Sequence, residues 1–331
     1  MITVEHLTKC YGDFMAVCDL SFEIDEGHVY GFLGPNGAGK STTMNIITGC
    51  LSATEGKVMI GGYDIFEQPQ QAKRLIGYLP EQPPLYMNET PVEYLRFVGL
   101  AKGLKGKELR EQVESVIQQT KIEDVKNRLI SALSKGYKQR VGIAQALLGN
   151  PKVIILDEPT VGLDPIQIIE IRDLIRQLGQ DHTVILSSHI LSEVQAICEK
   201  VLIISKGKLV AFDAPENLER LLLAQNGISF TVEADVEDVK EVLGNIDQAV
   251  EWSCEETEDG TVKVCVRING EDPKEFCRRI FFAFAAKEKA ILEMTSKKAN
   301  LEDVFIELTE DTAADSAVVE NEMEDEEVDG K

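Results

Sequence analysis

The sequence lacks the cysteine patterns of a disulfide framework and of a zinc site. Its seven cysteines are odd in number, and no two of them form a CxxC pair. A disulfide-stapled domain needs paired cysteines, and a zinc site usually needs closely spaced ones. We therefore expect free, buried thiols in a reducing compartment.

Long apolar runs are also missing. A membrane-spanning helix needs ~20 apolar residues in succession, whereas the longest run here covers only residues 280–286. Residues 1–5 already have a strand-like pattern, with no basic and apolar leader before them. We expect a chain without a direct membrane span, so that any membrane role depends on a partner.

Basic residues are few relative to acidic ones. Lys and Arg number 34 against 57 Asp and Glu, which gives a formal net charge of −23. Nucleic-acid binding needs a basic face, so this charge argues against nucleic acid as the main partner. Residues 311–331 are mostly Asp, Glu, Ala and Val and are predicted to form a disordered acidic tail.

What the sequence does contain is a phosphate-binding loop of the form GxxxxGK[ST], placed between a strand-like and a helix-like segment. Its glycines let backbone N–H groups point inward, where they and the following helix N-terminus hold an anionic triphosphate. Lys40 is predicted to reach the β- and γ-phosphates, Ser41 to bind Mg²⁺, and Thr42 to bond the α-phosphate. The predicted nucleotide-binding residues of this loop are Gly34, Pro35, Asn36, Gly37, Ala38, Gly39, Lys40, Ser41 and Thr42.

A second strand-like run, residues 153–156, is wholly apolar and ends in two acids, Asp157 and Glu158. Such a strand is typical of a parallel sheet, and ligands bind at the carboxyl ends of these strands. Asp157 is predicted to hold Mg²⁺, directly or through water. Glu158 is predicted to polarise the attacking water as the general base.

Local chemistry leaves four other positions open. Tyr11 is either a purine-stacking aromatic or a turn residue packed on the sheet. Ser134, with Gly136, either binds an anion or simply caps the following helix. His189 ends a buried strand and either contacts a γ-phosphate or has a structural role. In the loop at 80–84, a polar residue either touches Mg²⁺ or the attacking water, or is a solvated carboxylate.

The order of predicted elements indicates an α/β fold over residues 1–222. It opens with strands at 2–7 and 20–24, with a loop between them that includes Tyr11. A helix-rich insert at about residues 88–150 interrupts an otherwise alternating pattern of strands and helices.

From residue 228 the predicted order changes to βαββαβ, the ferredoxin-like arrangement. We assign it to a small α+β accessory domain at residues 223–310, whose last helix covers 301–308. No catalytic constellation is visible there, which favours an interaction or regulatory role.

In order along the chain, these motifs resemble the ATPase subunit of an ABC (ATP-binding cassette) transporter. Beyond the phosphate loop, the motifs that carry the resemblance are residues 133–137, 155–158, 162–164 and His189. The resemblance covers residues 1 to about 222. It implies a P-loop NTPase cassette with a mixed sheet and a helical subdomain, ATP and Mg²⁺ as ligands, and hydrolysis that drives transport.

The resemblance also implies roles for the open positions. Tyr11 matches the aromatic that stacks on adenine, and His189 matches the switch histidine. Ser134 and Gly136 match the signature that closes on ATP bound by a second subunit. Asp164 matches the loop that crosses the interface of that dimer.

Two departures from the family pattern stand out. The usual signature is Leu-Ser-Gly-Gly-Gln, whereas Lys135 and Tyr137 replace a glycine and the glutamine here. Because backbone N–H groups and Ser134 do most of the anion binding, we expect function to survive. Glu81 stands where a glutamine is usual, with Gln82 next to it, and a carboxylate can still ligate Mg²⁺ through water.

The implied partners are a second cassette and integral membrane permease subunits. Residues 299–305 resemble the extension of exporter-type bacterial ABC ATPases, which serve drugs, ions or cell-surface molecules. The expected location is cytoplasmic, at the inner face of the cell membrane through the permease.

One rival, a soluble ABC ATPase, would need a second phosphate loop or a long coiled-coil insertion. Another, a module that binds ATP without hydrolysis, is opposed by Glu158 and His189.

Overall fold

The computed structural model describes residues 1–221, 227–244, 246, 249–257, 260–268 and 273–297. Within them the chain forms two compact units, Met1–Pro215 and a second that begins at Glu216. The predicted helix at 301–308 and the acidic tail at 311–331 lie outside the described residues. None of the helices in the described ranges is long and apolar enough to cross a membrane.

The first unit alternates strands and helices along much of its length. Its strands are β1 (Ile2–Tyr11), β2 (Phe14–Ile24), β3 (Val29–Leu33), β4 (Glu55–Ile60), β5 (Tyr63–Asp64), β6 (Ile76–Leu79), β7 (Val153–Asp157), β8 (Thr183–Ser188), β9 (Lys200–Ser205) and β10 (Lys208–Asp213). The helices are α1 (Lys40–Ile47), α2 (Pro69–Arg74), α3 (Pro91–Ala101), α4 (Gly106–Gln119), α5 (Lys135–Leu147), α6 (Pro165–Leu178) and α7 (Leu191–Ile197). A 3-10 helix covers Ile130–Ala132, and α8 (Pro215–Leu221) follows β10.

A six-stranded sheet in the order β10-β9-β3-β8-β7-β6 carries the site. Strands β9, β3, β8, β7 and β6 are parallel, and β10 pairs antiparallel at the edge. Every residue of β3, β7 and β8 is buried, which explains why each strand contains a continuous apolar run rather than an alternating pattern. Parallel pairing brings the carboxyl ends of these strands to one edge of the sheet.

A second sheet, in the order β2-β1-β4-β5, is antiparallel. One buried cluster joins both sheets to α1 and includes Val4, Phe32 and Met44. Burial of such side chains, at about 25 cal/mol per Å² of apolar surface, is the main force that holds the unit together.

The predicted loop between the first two strands is wrong in its extent. Strand β1 continues to Tyr11, which pairs with Phe14, so that only Gly12 and Asp13 form the turn. Gly12 has a φ of 60°, which suits this tight connection. Register shifts along β1 break the alternation of side chains, and this hides the strand from a pattern of period two.

The helical insert begins with a capping box, as its sequence pattern predicts. The Thr90 hydroxyl accepts from the Glu93 N–H at 3.3 Å, and a Glu93 carboxylate oxygen accepts from the Thr90 N–H at 2.9 Å. Pro91 occupies the first helical position, where no N–H is needed. Helices α3, α4 and α5 contact one another, so the insert has its own packed interior.

The second unit has the predicted βαββαβ order. Its elements are β11 (Gly227–Val232), α9 (Val236–Gly244), β12 (Ala249–Glu256), β13 (Val262–Ile268), α10 (Pro273–Ala285) and β14 (Ile291–Lys297). The sheet order is β12-β13-β11-β14 with antiparallel neighbours throughout. Phe230, Phe276 and Phe284 are fully buried between this sheet and its helices.

Candidate functional site

The phosphate loop connects the end of β3 to the start of α1. Gly39, at the N-cap of α1, has a φ of 101°, and a Cβ there would lie 2.5 Å from the Ala16 carbonyl oxygen. A Cβ on Gly34 would lie 2.4 Å from the Ile204 carbonyl oxygen. Glycine is therefore required at both positions, because the loop curls tightly against neighbouring backbone.

The Lys40 side chain is buried in this loop and holds it closed on itself. Its ammonium donates to the carbonyl oxygens of Gly34 at 2.7 Å and Pro35 at 3.2 Å. Burial lowers the Lys40 pKa, while the nearby carboxylates of Glu158, Asp157 and Glu81 act in the opposite direction. The Lys40 ammonium therefore lies within the phosphate loop, near three carboxylates.

Asp157 connects the phosphate loop to the neighbouring strand. Its Oδ1 lies 3.5 Å from the Ser41 hydroxyl and accepts from the Ser187 hydroxyl at 2.5 Å. Ser187 also accepts from the Glu158 N–H at 2.9 Å, so that one hydroxyl orients both acids. Ser187 was not predicted as a site residue. The parallel register of β7 and β8, which places Asp157 opposite Ser187, is what reveals its role.

Glu158 lies just beyond β7 in a left-handed backbone conformation, with a φ of 48°. This is unusual for a residue with a long side chain and is typical of strained functional positions. Its carboxylate oxygens lie 2.9 and 3.0 Å from Nδ1 of His189. Burial raises the Glu158 pKa, against the lowering effects of His189 and Lys40.

Lys40, Glu158 and His189 face a cavity of about 390 Å³, whereas Asp157 is not part of its lining. Of the predicted site residues, it is lined by Tyr11, Asn36, Gly37, Gly39, Lys40, Ser41, Thr42, Glu81, Glu158 and His189. Phe14, Ala16 and Val161, which the sequence analysis did not single out, complete the wall. Gln82 does not line it, so Glu81 is the polar residue of its loop that faces the cavity.

Tyr11 stands at the rim of this cavity, at the end of β1. The ring is about half exposed, and the Lys9 ammonium lies 5.2 Å from its centroid. The exposed Phe14 ring sits across the hairpin turn. Two aromatic faces therefore border the phosphate-loop cavity on one side.

The signature residues lie elsewhere. Ser134 and Gly136 line a separate cavity of about 210 Å³ at the start of α5. The Ser134 hydroxyl caps α5 by accepting from the Tyr137 N–H at 3.4 Å. Asp164 caps α6 by accepting from the Gln167 N–H at 2.9 Å and lines neither cavity. A single copy of the chain does not bring these residues together with Lys40 and Glu158.

The donor set around the first cavity fits a triphosphate with a divalent cation. A Cβ on Gly37 would meet no atom within 4 Å, so the backbone there opens onto free space. The Ser41 hydroxyl and the Asp157 carboxylate are close enough to share one ion and supply the oxygen ligands that Mg²⁺ prefers. Lys40 supplies the positive charge that an anion requires.

A phosphate loop at the end of a buried parallel strand, with an acid pair at the same sheet edge, defines a P-loop NTPase. Residues 17–161 match the family described as ABC transporter. The chain belongs to this family: it is an ATP-binding subunit of an ABC transporter and an ATPase.

Three known proteins illustrate the similarity. The bacitracin transport ATP-binding protein BcrA of Bacillus licheniformis is 33% identical over 93% of this chain and 97% of its own. The linearmycin resistance ATP-binding protein LnrL of Bacillus subtilis is 30% identical over 95% of this chain and 100% of its own. Among solved structures, a dimeric ATP-binding cassette in a post-hydrolysis state, bound to ADP and Pi, superposes with a TM-score of 0.59. It is 28% identical over 65% of this chain and 98% of its own.

Proposed function

We propose that this chain hydrolyses MgATP in a dimer of cassettes and drives a separately encoded membrane permease, for export. The observation that carries the proposal is the separation of two sets of residues. Lys40, Glu158 and His189 line one cavity, whereas Ser134 and Gly136 line another. A second copy is needed to bring a signature onto the bound triphosphate, and the similar cassette of known structure is dimeric.

In this proposal the phosphate loop holds the nucleotide. Its backbone N–H groups and the N-terminus of α1 bind the phosphates, and Lys40 leaves its own loop carbonyls to contact the β- and γ-phosphates. Tyr11 stacks on the adenine, which suits its exposed ring at the rim. The nucleotide-binding residues are Tyr11, Gly34, Pro35, Asn36, Gly37, Ala38, Gly39, Lys40, Ser41, Thr42, Ser134, Gly136 and Asp164.

Ser41, Asp157 and Glu81 would hold Mg²⁺, with Glu81 acting through water. When bound, the ion would supply positive charge that offsets the negative charge of the phosphates. Ser187 keeps the Asp157 carboxylate in place by donating to it. All three residues lie at the carboxyl ends of parallel strands: Ser41 lies in the first turn of α1 after β3, Glu81 follows β6 and Asp157 ends β7.

Glu158 is the general base for the attacking water. Its raised pKa makes the carboxylate a better proton acceptor than an exposed one. His189 orients that carboxylate by donating from Nδ1, and in the imidazolium form its Nε2–H would also donate to a phosphate oxygen. The charge on Lys40 and the N–H groups of the signature helix stabilise the transferring phosphoryl group.

An exposed aromatic patch suits the permease. Tyr86, Met87, Phe97 and Leu100 are all exposed, and the Tyr86 ring lies 5.2 Å from that of Phe97. The patch joins the loop after Glu81 to helix α3, so docking there would pass motion from the site to a membrane partner. Apolar patches on a protein surface commonly mark such contacts. This partner would hold the chain at the inner face of the cell membrane.

Export of a drug, an ion or a cell-surface molecule is the proposed transport. BcrA and LnrL, which match this chain over nearly its whole length, are named for bacitracin transport and for linearmycin resistance. Co-purification with an integral membrane protein after detergent extraction would support the permease, and recovery of the free chain alone would contradict it.

The composite site is tested by mixing two inactive variants. In a dimer of Ser134→Ala with Glu158→Gln, one of the two sites keeps both Glu158 and Ser134. An equal mixture should therefore recover about a quarter of the wild-type ATPase rate, since half of the dimers carry one intact site. Mixing Glu158→Gln with Lys40→Ala is the control and should recover nothing, because both changes damage the same half-site. A Ser134→Ala mixture no faster than the mean of its components would overturn the dimer.

A further inference from the structure

A buried carboxylate lies directly behind the proposed base. Glu193, on α7, is only 2% exposed. Its Oε2 accepts from the Thr160 hydroxyl at 2.5 Å and from the Ser188 hydroxyl at 3.2 Å. Both hydroxyls therefore converge on a single oxygen atom.

The charge on Glu193 is only loosely compensated. Within the part of the chain that the structure describes, its ion-pair partner is Arg172 on α6, whose Nη2 atom lies 3.8 Å from the other oxygen, Oε1. Within the described residues, Nε of the same arginine is buried without a hydrogen-bond partner. Fully buried carboxylates are rare unless they are closely paired with a cation. The distant ion pair with Arg172 therefore does not by itself explain why Glu193 occupies this buried position.

The positions of the two hydroxyls supply that reason. Thr160 follows Glu158 by two residues, in the loop that leaves β7. Ser188 is the last residue of β8 and directly precedes His189. Glu193 thus ties together the two chain segments that carry the contact between Glu158 and His189.

A second contact joins the same two segments closer to the strands. There the Ser187 hydroxyl accepts from the Glu158 N–H at 2.9 Å. The Ser188 hydroxyl also accepts from the Ile190 N–H at 3.0 Å, which fixes the turn around His189. Since Glu158 has a left-handed φ, its turn needs support from outside its own strand.

We propose that Glu193 is a positioning residue for ATP hydrolysis. Through Thr160 and Ser188 it holds the turn after Glu158 and the residue before His189 in one arrangement, so that the imidazole stays on the base. This inference rests on the roles given to Glu158 and His189 in the proposed function. Glu193 itself lines neither of the two cavities, so it would act through other residues.

The test removes the two hydroxyl groups that donate to Glu193, one at a time. Thr160→Val and Ser188→Ala remove a hydroxyl and leave the buried charge pair in place. Each should lower kcat about tenfold, the effect of a base that is poorly oriented, with KM for ATP changed less than about twofold. Thr120→Val is the matched control, because Thr120 is fully buried and its hydroxyl donates to the Val116 carbonyl oxygen at 2.7 Å, in the helical insert. It should leave kcat unchanged.

A double-mutant cycle separates positioning from a merely structural role. If Glu193 acts through the imidazole, adding Thr160→Val to His189→Ala should cost no further loss of kcat. Equal losses in both backgrounds would instead mark general destabilisation and would overturn the inference. Glu193→Gln keeps the shape of the side chain but removes its charge. It should lower kcat about as much as Thr160→Val and Ser188→Ala do.

The role of Glu193 and the role of Glu158 as the base are distinguished by different outcomes. If Glu158→Gln is inactive while Thr160→Val and Ser188→Ala both keep the wild-type kcat, the role of Glu193 is wrong and the proposed base stands. If Glu158→Gln turns over ATP at the wild-type rate, the proposed function fails, and the inference drawn from it fails too.

Discussion

The Nδ1 atom of His189 lies 2.9 Å from Oε2 of Glu158, although 31 residues separate them in the chain. With the carboxylate ionised, Nδ1 must carry the hydrogen, because the carboxylate can only accept. The parallel pairing of β7 with β8 sets up this contact, because it places Asp157 opposite Ser187 and both strands end at the same edge. The histidine therefore meets the acid through the register of the sheet.

The first prediction concerns turnover. Glu158→Gln keeps the size of the side chain but removes the base, so the ATPase rate should fall by about 100-fold or more, while ATP binding is retained. With ATP and Mg²⁺ present, this variant should accumulate as a dimer in size-exclusion chromatography. Glu67→Gln, at an exposed position outside the site, should behave as wild type. Wild-type phosphate release by Glu158→Gln would refute the general-base role.

The second prediction concerns pH. Because burial raises the folded-state pKa of Glu158 above its ordinary value, the folded chain holds this proton more tightly than the unfolded chain does. The resulting stability is fully present below the ordinary carboxyl pKa and is lost as pH rises through the raised value. Glu158→Gln should therefore have a higher Tm than wild type at about pH 8, with a difference that shrinks toward about pH 5.

Thermal denaturation followed by circular dichroism checks this expectation. Glu67→Gln removes the same charge at an exposed position and should shift Tm equally at both pH values. A Glu158→Gln difference that stays constant with pH, or grows as the solution is acidified, would mean that the buried carboxyl is not the titrating group.

The third prediction compares two glycines with positive φ. Gly12 has a φ of 60° and free space at the Cβ position, so Gly12→Ala should lower the free energy of unfolding by about 1 kcal/mol. Gly39→Ala adds a clash with the Ala16 carbonyl oxygen at 2.5 Å, so it should cost clearly more and also weaken ATP binding. Urea unfolding and nucleotide titration measure both effects. Equal losses of unfolding free energy in the two variants would show that the Ala16 carbonyl oxygen is not the reason that position 39 requires glycine.

Local patterns were sufficient for much of the fold. The capping box at Thr90 depends on residues three apart, and the buried strands depend on continuous apolar runs, so both are visible in sequence. The βαββαβ order of the second unit was likewise predicted, because its strands and helices have clear boundaries. The extent of β1 was not, because register shifts in its pairing broke the alternation on which a strand prediction relies.

By itself, the sequence determined which residues we propose to carry the chemistry: the glycines, Lys40 and Ser41 of the phosphate loop, Asp157 at the end of β7 and Glu158 directly after it. Those predictions depend on spacings of a few residues, over which the local backbone alone determines which groups lie close together. The tertiary structure decided which residues from distant parts of the chain contact these groups. Ser187 reaches Asp157, His189 reaches Glu158, and Glu193 joins Thr160 to Ser188. Parallel strands can bring together positions far apart in the chain, and their register, set by packing across the whole sheet, selects the partners.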